Sequence, residues 1–270
     1  MEESWRYHKK EVNNDDLFQK MRDFDRLLQD IKNNGIKKPI IYTKNFNDNK
    51  IIVHGNHRSS IAFYLGFKVP AIEIPQREYF QRNIKLSNAF YGTGKNGLPY
   101  NSIFYKGRPL LYGRRNDIYE RLNLMDEKDI YDKEIIDFGC NFGASTFAAI
   151  EKGAKKALGL EYEPEIVTSA IRFNIIFQYA CDFKVCDLSQ EVNIDRMYDT
   201  GFCFSIDKHV KNNSNLTKNI VNHVKNTLYF ETHSNSDVPY DLKKNFKKIK
   251  FLGNTGPLKD RRLYKLYIVK

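Results

Sequence analysis

The run of residues 133–143 constrains the fold of this chain more than any other segment. It begins as a short apolar strand that includes Asp137, and it continues into a loop that contains Gly139 and Gly143. Helix-forming residues follow over 144–152. A strand, a tight glycine loop and a helix N-terminus together present backbone N–H groups to a ligand. The segment therefore predicts an α/β unit with a ligand at the carboxyl end of its strand.

Two further predicted strands also end in an acidic residue. An apolar strand over residues 157–160 ends at Glu161, and a third strand over 183–186, which follows a helix over 164–180, ends at Asp187. An acid at the tip of the second strand is placed to accept hydrogen bonds from ribose hydroxyls. An acid at the third tip suits the exocyclic amine of an adenine. We predict a doubly wound α/β domain that binds an adenosine-containing ligand.

Residues Asp137, Gly139 and Gly143 match the pattern D-x-G-x-x-x-G, and with the two later acids the chain resembles class I S-adenosylmethionine-dependent methyltransferases. The resemblance implies a Rossmann-like methyltransferase sheet with S-adenosylmethionine as the cofactor. A dinucleotide site is less favoured, because the loop lacks G-x-G-x-x-G spacing. By the same resemblance the loop surrounds the methionine part, Glu161 holds the ribose and Asp187 meets the adenine. The cofactor-binding residues implied are Asp137, Gly139, Cys140, Asn141, Gly143, Glu161, Tyr162, Asp187 and Ser205. Asn141 stands where many members have glycine.

The predicted fourth and fifth strands, over 201–206 and 227–230, lead into histidines. Residues Asp207 and His209 follow the fourth strand, and residues Glu231 and His233 follow the fifth. A hydroxyl acceptor must lose its proton, and a histidine of near-neutral pKa is a suitable base. We expect His209 or His233 as the base, Asp207 as its orienter, and Glu231 as an orienter or substrate ligand. A surface turn is the alternative for residues 207–209.

We predict no metal site in the chain. Asp207, Glu231 and His233 are possible oxygen and nitrogen ligands, but no close-spaced pair such as H-x-x-x-H anchors them.

The four cysteines form no C-x-x-C pair and no disulfide framework, which favours a reducing cytoplasmic location. No apolar run is long enough to span a bilayer.

Upstream of the strand, a run over residues 113–117 contains Arg114 and Arg115, and Arg121 follows. Together with the glycine loop, this run is similar to the methyltransferase branch that contains surface-polysaccharide and tRNA wobble-uridine enzymes. We therefore predict that Arg114 and Arg115 bind the acceptor. Residues 79–125 are rich in aromatics and glycine, which is typical of a ligand-facing connector or of an apolar contact between domains.

The N-terminal region reads as a helix over 14–35, strands over 39–42, 50–53 and 69–74, and a G-x-H-R element from Gly55 to Arg58. This order resembles the ParB/sulfiredoxin-like fold. The resemblance implies that Arg58 and His57 bind phosphates at a helix N-terminus, where a glycine permits close approach. The alternative is that Arg58 and His57 cap and pair within a small α+β module.

The formal net charge is +11, and basic residues dominate from Asp241 to the end of the chain. We expect a basic helix over 240–248 and a closing hairpin with strands around 250–253 and 263–269. Lys259, Arg261 and Arg262 lie in its connection, where they face either an anionic acceptor or solvent. A polyanionic partner and a compositional drift toward lysine both explain the charge.

The combined prediction is a ParB-like module over residues 1–78, an active-site connector over 79–125 and a methyltransferase domain over 126–270. We expect O-methylation of a glycan, phosphorylated or nucleotide-linked small molecule, and a role in polysaccharide biosynthesis. An RNA methyltransferase is the main alternative, but no [DNS]-P-P-[YFW] motif of amino-methylating enzymes follows the fourth strand. A nucleotide-binding protein with a non-catalytic methyltransferase domain is the second alternative function. Composition leaves the oligomeric state open.

Overall fold

The computed structural model describes residues 14–83, 99–233 and 236–268. The chain divides into two compact units, residues 1–79 and 80–270. Most of the segment that we predicted as a connector thus belongs to the second unit. Its residues Phe90, Tyr91, Gly92, Gly94 and Gly97 lie outside the described residues, as does Val269 of the predicted last strand.

The first unit is a small α+β module. Its three-stranded sheet has the order β2–β1–β3, with β2 antiparallel and β3 parallel to β1. Its elements are α1 (Asn14–Asn34), β1 (Ile40–Lys44), β2 (Lys50–His54), α2 (Asn56–Leu65) and β3 (Ala71–Glu73), and α3 (Gln76–Asn83) crosses the division. Gly35 and Gly66 end α1 and α2 with φ of 70°, a conformation that favours glycine. The predicted helix and strands are present here with small shifts of their ends.

The second unit contains a seven-stranded sheet in the order β11–β12–β10–β9–β6–β7–β8. Its elements are β4 (Ile103–Tyr105), β5 (Arg108–Leu111), α4 (Ile118–Asn123), β6 (Glu134–Phe138), α5 (Ala144–Glu151), β7 (Lys156–Glu161), α6 (Pro164–Phe177), β8 (Cys181–Val185), β9 (Tyr198–Phe204), α7 (Asn213–His223), β10 (Val224–Glu231), α8 (Tyr240–Lys243), β11 (Phe246–Thr255) and β12 (Arg261–Ile268). Strand β12 is antiparallel to both of its neighbours, whereas β6 to β10 pair in parallel. The sheet is a mostly parallel, doubly wound sheet, as the sequence predicted.

Burial follows from the position of each strand in the sheet. The central strand β6 has Ile135, Ile136 and Phe138 fully buried, because a parallel strand with helices on both faces has no solvent side. The chain reverses its winding between β6 and β9, and ligands of such sheets bind outside the carboxyl ends at that point. The fold thereby positions the loops after β6, β7, β9 and β10 around one crevice.

Two predicted helical segments differ from the structure. The helix expected over 240–248 ends at Lys243, and strand β11 begins at Phe246. Lys247 and Lys248 are exposed on this strand, which lies at the edge of the sheet and pairs with β12. Lysine on an edge strand discourages pairing with another chain, so the basic run suits an edge strand better than a helix. The prediction of a doubly wound domain with three successive β–turn–α units also implies a helix after the third strand, but residues 186–197, between β8 and β9, contain no helix.

Candidate functional site

A cavity of about 530 Å³ lies at the carboxyl ends of β6, β7, β8 and β9 within the second unit. This volume falls within the range of small-molecule sites, about 300–1,000 Å³. Residues from the loops after these strands, from residues 100–121 and from the start of β12 line the cavity. The predicted cofactor residues Asp137, Glu161 and Asp187 are among them. The structure thus brings the three acids together, as expected for parallel strands.

The loop after β6 is tightly built around a buried carboxyl. Asp137 is 2% exposed and accepts a hydrogen bond of 2.7 Å from the Thr146 hydroxyl. Burial raises the pKa of Asp137 to about 7, despite the opposing effect of the Thr146 hydrogen bond. Gly139 has a φ of 74°, and a Cβ there would lie 2.5 Å from Cγ2 of Ile206. Gly139 therefore allows the loops after β6 and β9 to approach closely.

Asn141 and Glu161 connect the first two loops. The backbone N–H of Asn141 donates to Glu161 at 2.9 Å, and the N–H groups of Tyr162 and Glu163 donate to the other carboxylate oxygen. Burial raises the pKa of Glu161, although these three N–H groups oppose the shift. Asn141 has a φ of 52°, a left-handed conformation that asparagine and glycine tolerate best. This backbone requirement explains why asparagine can stand at a position where glycine is common.

Two exposed residues lie in the part of the cavity where we predicted the adenine of the cofactor. Tyr162 is 59% exposed and lines the cavity, with its ring available for stacking. Asp187 also lines the cavity, and its Oδ1 accepts hydrogen bonds from the N–H and hydroxyl of Ser189 at 2.9 and 2.7 Å. The backbone N–H of Cys186 donates to the carbonyl of Glu161 at 2.7 Å, which holds the two strand tips side by side.

A buried ion cluster lies against the cavity at the ends of β9 and β10. Its members are Arg115, Asp117, Arg121, Glu231 and Arg261. Arg115 donates to both oxygens of Asp117 and, at 3.2 and 3.3 Å, to both oxygens of Glu231. The Nε of Arg121 lies 3.0 Å from Glu231. Burial alone would raise the pKa of Glu231, but the charges of Arg121 and Arg115 outweigh it and hold that pKa at about 2.

This cluster assigns several predicted residues to positions that differ from our expectation. Glu231 is fully buried and does not line the cavity, so it anchors guanidinium groups where we expected an orienter or substrate ligand. Arg115 lines the cavity, yet its guanidinium is engaged by two carboxylates. The hydroxyl of Ser205 donates to Glu231 at 2.5 Å. Arg114 is exposed at the cavity, with its guanidinium 5.3 Å from the ring centre of Tyr100.

The two predicted histidines meet at the cavity. The rings of His209 and His233 are edge to face with centroids 5.6 Å apart, and both residues line the cavity. Burial lowers the pKa of His233, and the charges of Arg261 and Lys208 lower it further. Asp207 is 8% exposed, and its Oδ1 has no hydrogen-bond partner among the described residues. A lowered pKa leaves an imidazole neutral near pH 7 and able to accept a proton.

The remaining predicted residues have local contacts. Gly143 has a φ of 83° at the start of α5, where a Cβ would collide with Phe183 and Phe147, so its role is in packing. Cys140 lines the cavity, and burial raises the pKa of its thiol well above the usual value. In the first unit, Nη2 of Arg58 donates to the carbonyl of Pro39 at 3.0 Å, and exposed His57 contacts the ring of Phe24.

Sequence reasoning missed several residues that line the cavity, above all Tyr100, Asn101 and Arg121. Residues 100–102 run beside 113–115, where Gly113 is needed because a Cβ would lie 2.4 Å from the Asn101 carbonyl carbon. Asp117 directly precedes α4, and its spacing of four residues from Arg121 was the available signal for a local ion pair.

Within residues 14–83, 99–233 and 236–268, no group of three or more candidate side chains is placed to hold a metal ion. Across the same ranges, no helix has the length and apolar character that a membrane span requires.

Comparisons with known proteins match part of the chain. No family model matches the chain. Ribosomal protein L11 methyltransferases of Glaesserella parasuis serovar 5 and Escherichia coli O8 are 41% and 39% identical to it over 49 residues. Each match covers 18% of this chain and only 17% of the relative's length.

Among solved structures, the N-terminal domain of EvdMO1 in the presence of SAH and D-fucose aligns with a TM-score of 0.54 at 15% identity, over 72% of this chain and 97% of that one. The same domain with SAH bound aligns with a TM-score of 0.50 at 14% identity, over 72% and 96%. With the strand order described above, these likenesses define the class of fold. The chain has the Rossmann-like fold of class I S-adenosylmethionine-dependent methyltransferases.

Proposed function

We propose that the protein is an S-adenosylmethionine-dependent methyltransferase that acts on a hydroxyl group of a small molecule or glycan. One observation carries the proposal. A single cavity joins the acids Asp137, Glu161 and Asp187, at the ends of three adjacent strands, to a pair of histidines that follow β9 and β10. The arrangement combines a nucleoside site with a neutral base, which is what transfer to a hydroxyl requires.

The residues present fit the cofactor on their own chemistry. Glu161 is held by three backbone N–H groups and lines the cavity, so its carboxylate is oriented for the two hydroxyls of a ribose. The Oδ1 of Asn141 is buried without a hydrogen-bond partner among the described residues. A polar ligand supplies such a partner. Tyr162 and Asp187 offer a ring face and an acceptor to the adenine.

When bound, the cofactor supplies an electrophilic methyl group on a sulfonium. The chain's own residues bind and orient the reactants and handle the proton. In this proposal His233 accepts the proton of the acceptor hydroxyl at a ring nitrogen, because burial and the neighbouring charges lower its pKa and keep it neutral. His209 contacts His233 and shapes the acceptor side of the cavity, and Asp207 lies in the same loop.

The cofactor assignment is tested by calorimetric titration of S-adenosylhomocysteine. Glu161→Gln is expected to weaken binding about tenfold to a hundredfold, since charge-assisted hydrogen bonds contribute about 1.5–3 kcal/mol. Glu165→Gln is the matched control, because this exposed glutamate in the first turn of α6 lies outside the cavity. Equal affinities of the two variants would remove Glu161 from the ribose site, and no binding by the wild-type protein would refute the proposed function.

A further inference from the structure

The ion cluster of the second unit carries a surplus positive charge. It contains three guanidinium groups and two carboxylates. Arginine stays protonated in proteins, and the pKa values of Asp117 and Glu231 are lowered, so all five groups are charged at neutral pH. Asp137 also interacts with Arg121, but burial raises the pKa of Asp137 and so opposes its ionisation. A buried surplus charge is costly unless an ion of opposite charge neutralises it.

Arg261 pairs with one carboxylate of the cluster, Glu231, whereas Arg115 and Arg121 each pair with both Asp117 and Glu231. The Nη1 of Arg261 lies 3.7 Å from Glu231, beyond hydrogen-bond distance, and has no hydrogen-bond partner among the described residues. The side chain is 14% exposed and lines the cavity. Its guanidinium lies 5.8 Å from the ring centre of Tyr100, and that of Arg114 lies 5.3 Å from the same centre. The guanidinium of Arg115, at 5.7 Å, is the third near this ring, but it is already engaged by two carboxylates.

The pairing of strands places Arg261 on the acceptor side of the cavity. Glu231 pairs with Leu263 in the antiparallel ladder, and the N–H of Thr232 donates to the carbonyl of Arg262. Continuing this register puts Arg261 beside His233, whose pKa its charge lowers. Glu161 ends β7, which β9 and β6 separate from β10 in the sheet. An anion at Arg261 therefore lies near the proposed base and away from the ribose site.

Building on the proposed function, we propose that the methyl acceptor carries an anionic group, a phosphate or carboxylate, which binds Arg261 with the help of Arg114 and Tyr100. The group neutralises the surplus charge of the cluster and receives forked hydrogen bonds that suit its oxygens. It also fixes the acceptor with a hydroxyl next to the histidine pair. A neutral acceptor would leave the surplus charge of the cluster without a counter-ion at the cavity.

The test is a calorimetric titration of inorganic phosphate into the protein with and without S-adenosylhomocysteine, at constant ionic strength so that screening is equal. Arg261→Gln is expected to weaken phosphate binding at least about tenfold. Arg261→Lys, which keeps the charge, is expected to retain part of the affinity. Arg262→Gln is the matched control, because this neighbour pairs with Asp237 at 2.9 Å and does not line the cavity. It is expected to bind phosphate as the wild type does.

The anionic group at Arg261 could belong to the acceptor or to the carboxylate of the cofactor. The affinity for S-adenosylhomocysteine distinguishes these two sources and also shows whether the variant is folded. If Arg261→Gln binds S-adenosylhomocysteine normally but phosphate weakly, the anionic group belongs to the acceptor. If it loses both equally, the group is the cofactor's carboxylate and the inference is wrong. Absence of phosphate binding by a wild-type protein that binds S-adenosylhomocysteine would also overturn it. Failure of the wild type to bind S-adenosylhomocysteine would instead refute the proposed function.

Discussion

Replacement of Glu231 by glutamine is the most informative test of how the site is held together. This carboxylate is fully buried and interacts with Arg115, Arg121 and Arg261. The amide keeps the shape of the side chain but removes the charge, so Arg115 and Arg121 would retain Asp117 as a carboxylate partner and Arg261 would lose its ion pair. Breaking a buried ion pair in this way costs about 3–5 kcal/mol.

The lowered pKa of Glu231 leads to a similar figure. A fall from 4.5 to about 2 corresponds to a contribution of about 3 kcal/mol at neutral pH. The assay is urea unfolding followed by circular dichroism, with the slope of the transition checked for change. Glu134→Gln on β6 is the control, since its half-buried pair with Arg196 at 3.3 Å is worth at most about 1 kcal/mol. Equal stabilities of the two variants would refute the role of Glu231 as the anchor of the cluster.

Three further results are expected. The stability that depends on ionised Glu231 is complete above its unfolded pKa of 4.5 and is lost as pH falls toward about 2. The difference in unfolding free energy between the wild type and Glu231→Gln should therefore shrink over this pH range. A difference that stays constant would contradict this linkage. The ring protons of His233, followed by NMR and assigned with His233→Gln, titrate below 6.5, and a midpoint at or above that value removes the reason to prefer His233 as the base. Gly139→Ala is expected to lower the free energy of unfolding by about 1–3 kcal/mol more than Gly107→Ala does. Both glycines have φ near 74°, but of the two only Gly139 has a neighbour, Ile206, that a Cβ would contact. Equal losses of stability would show that Ile206 moves aside.

Much of the cofactor end of the site could be predicted because its residues follow strands. The carboxyl ends of neighbouring parallel strands meet at one edge of the sheet, so Asp137, Glu161 and Asp187 needed only correct strand ends to be brought together. The glycine loop could be predicted equally well, because a tight turn requires a positive φ at Gly139.

The acceptor end could not be predicted in the same way. Arg115 and Glu231 are separated by 116 residues, and no local pattern shows that they pair. Their pairing changes the expected roles of both, since each is engaged by the other. The error over 240–248 has a different cause: lysines that resemble the polar face of a helix occupy an edge strand, where pairing with β12 decides the conformation.

The N-terminal module remains a prediction in its family and ligand. The structure contains the expected order of helix and strands, and Gly55 has a φ of 101° at the start of α2. Arg58, however, donates to the carbonyl of Pro39, which favours the alternative of pairing within the module. Its Nε is buried without a hydrogen-bond partner among the described residues.

A crystal structure of the complex with S-adenosylhomocysteine would locate each part of the cofactor in the cavity. We expect the ribose hydroxyls at the carboxylate of Glu161 and the adenine between Tyr162 and Asp187. We also expect the sulfur to face His209 and His233 inside the cavity. A complex in which the nucleoside lies away from Glu161, or in which the sulfur faces away from both histidines, would contradict the proposed function.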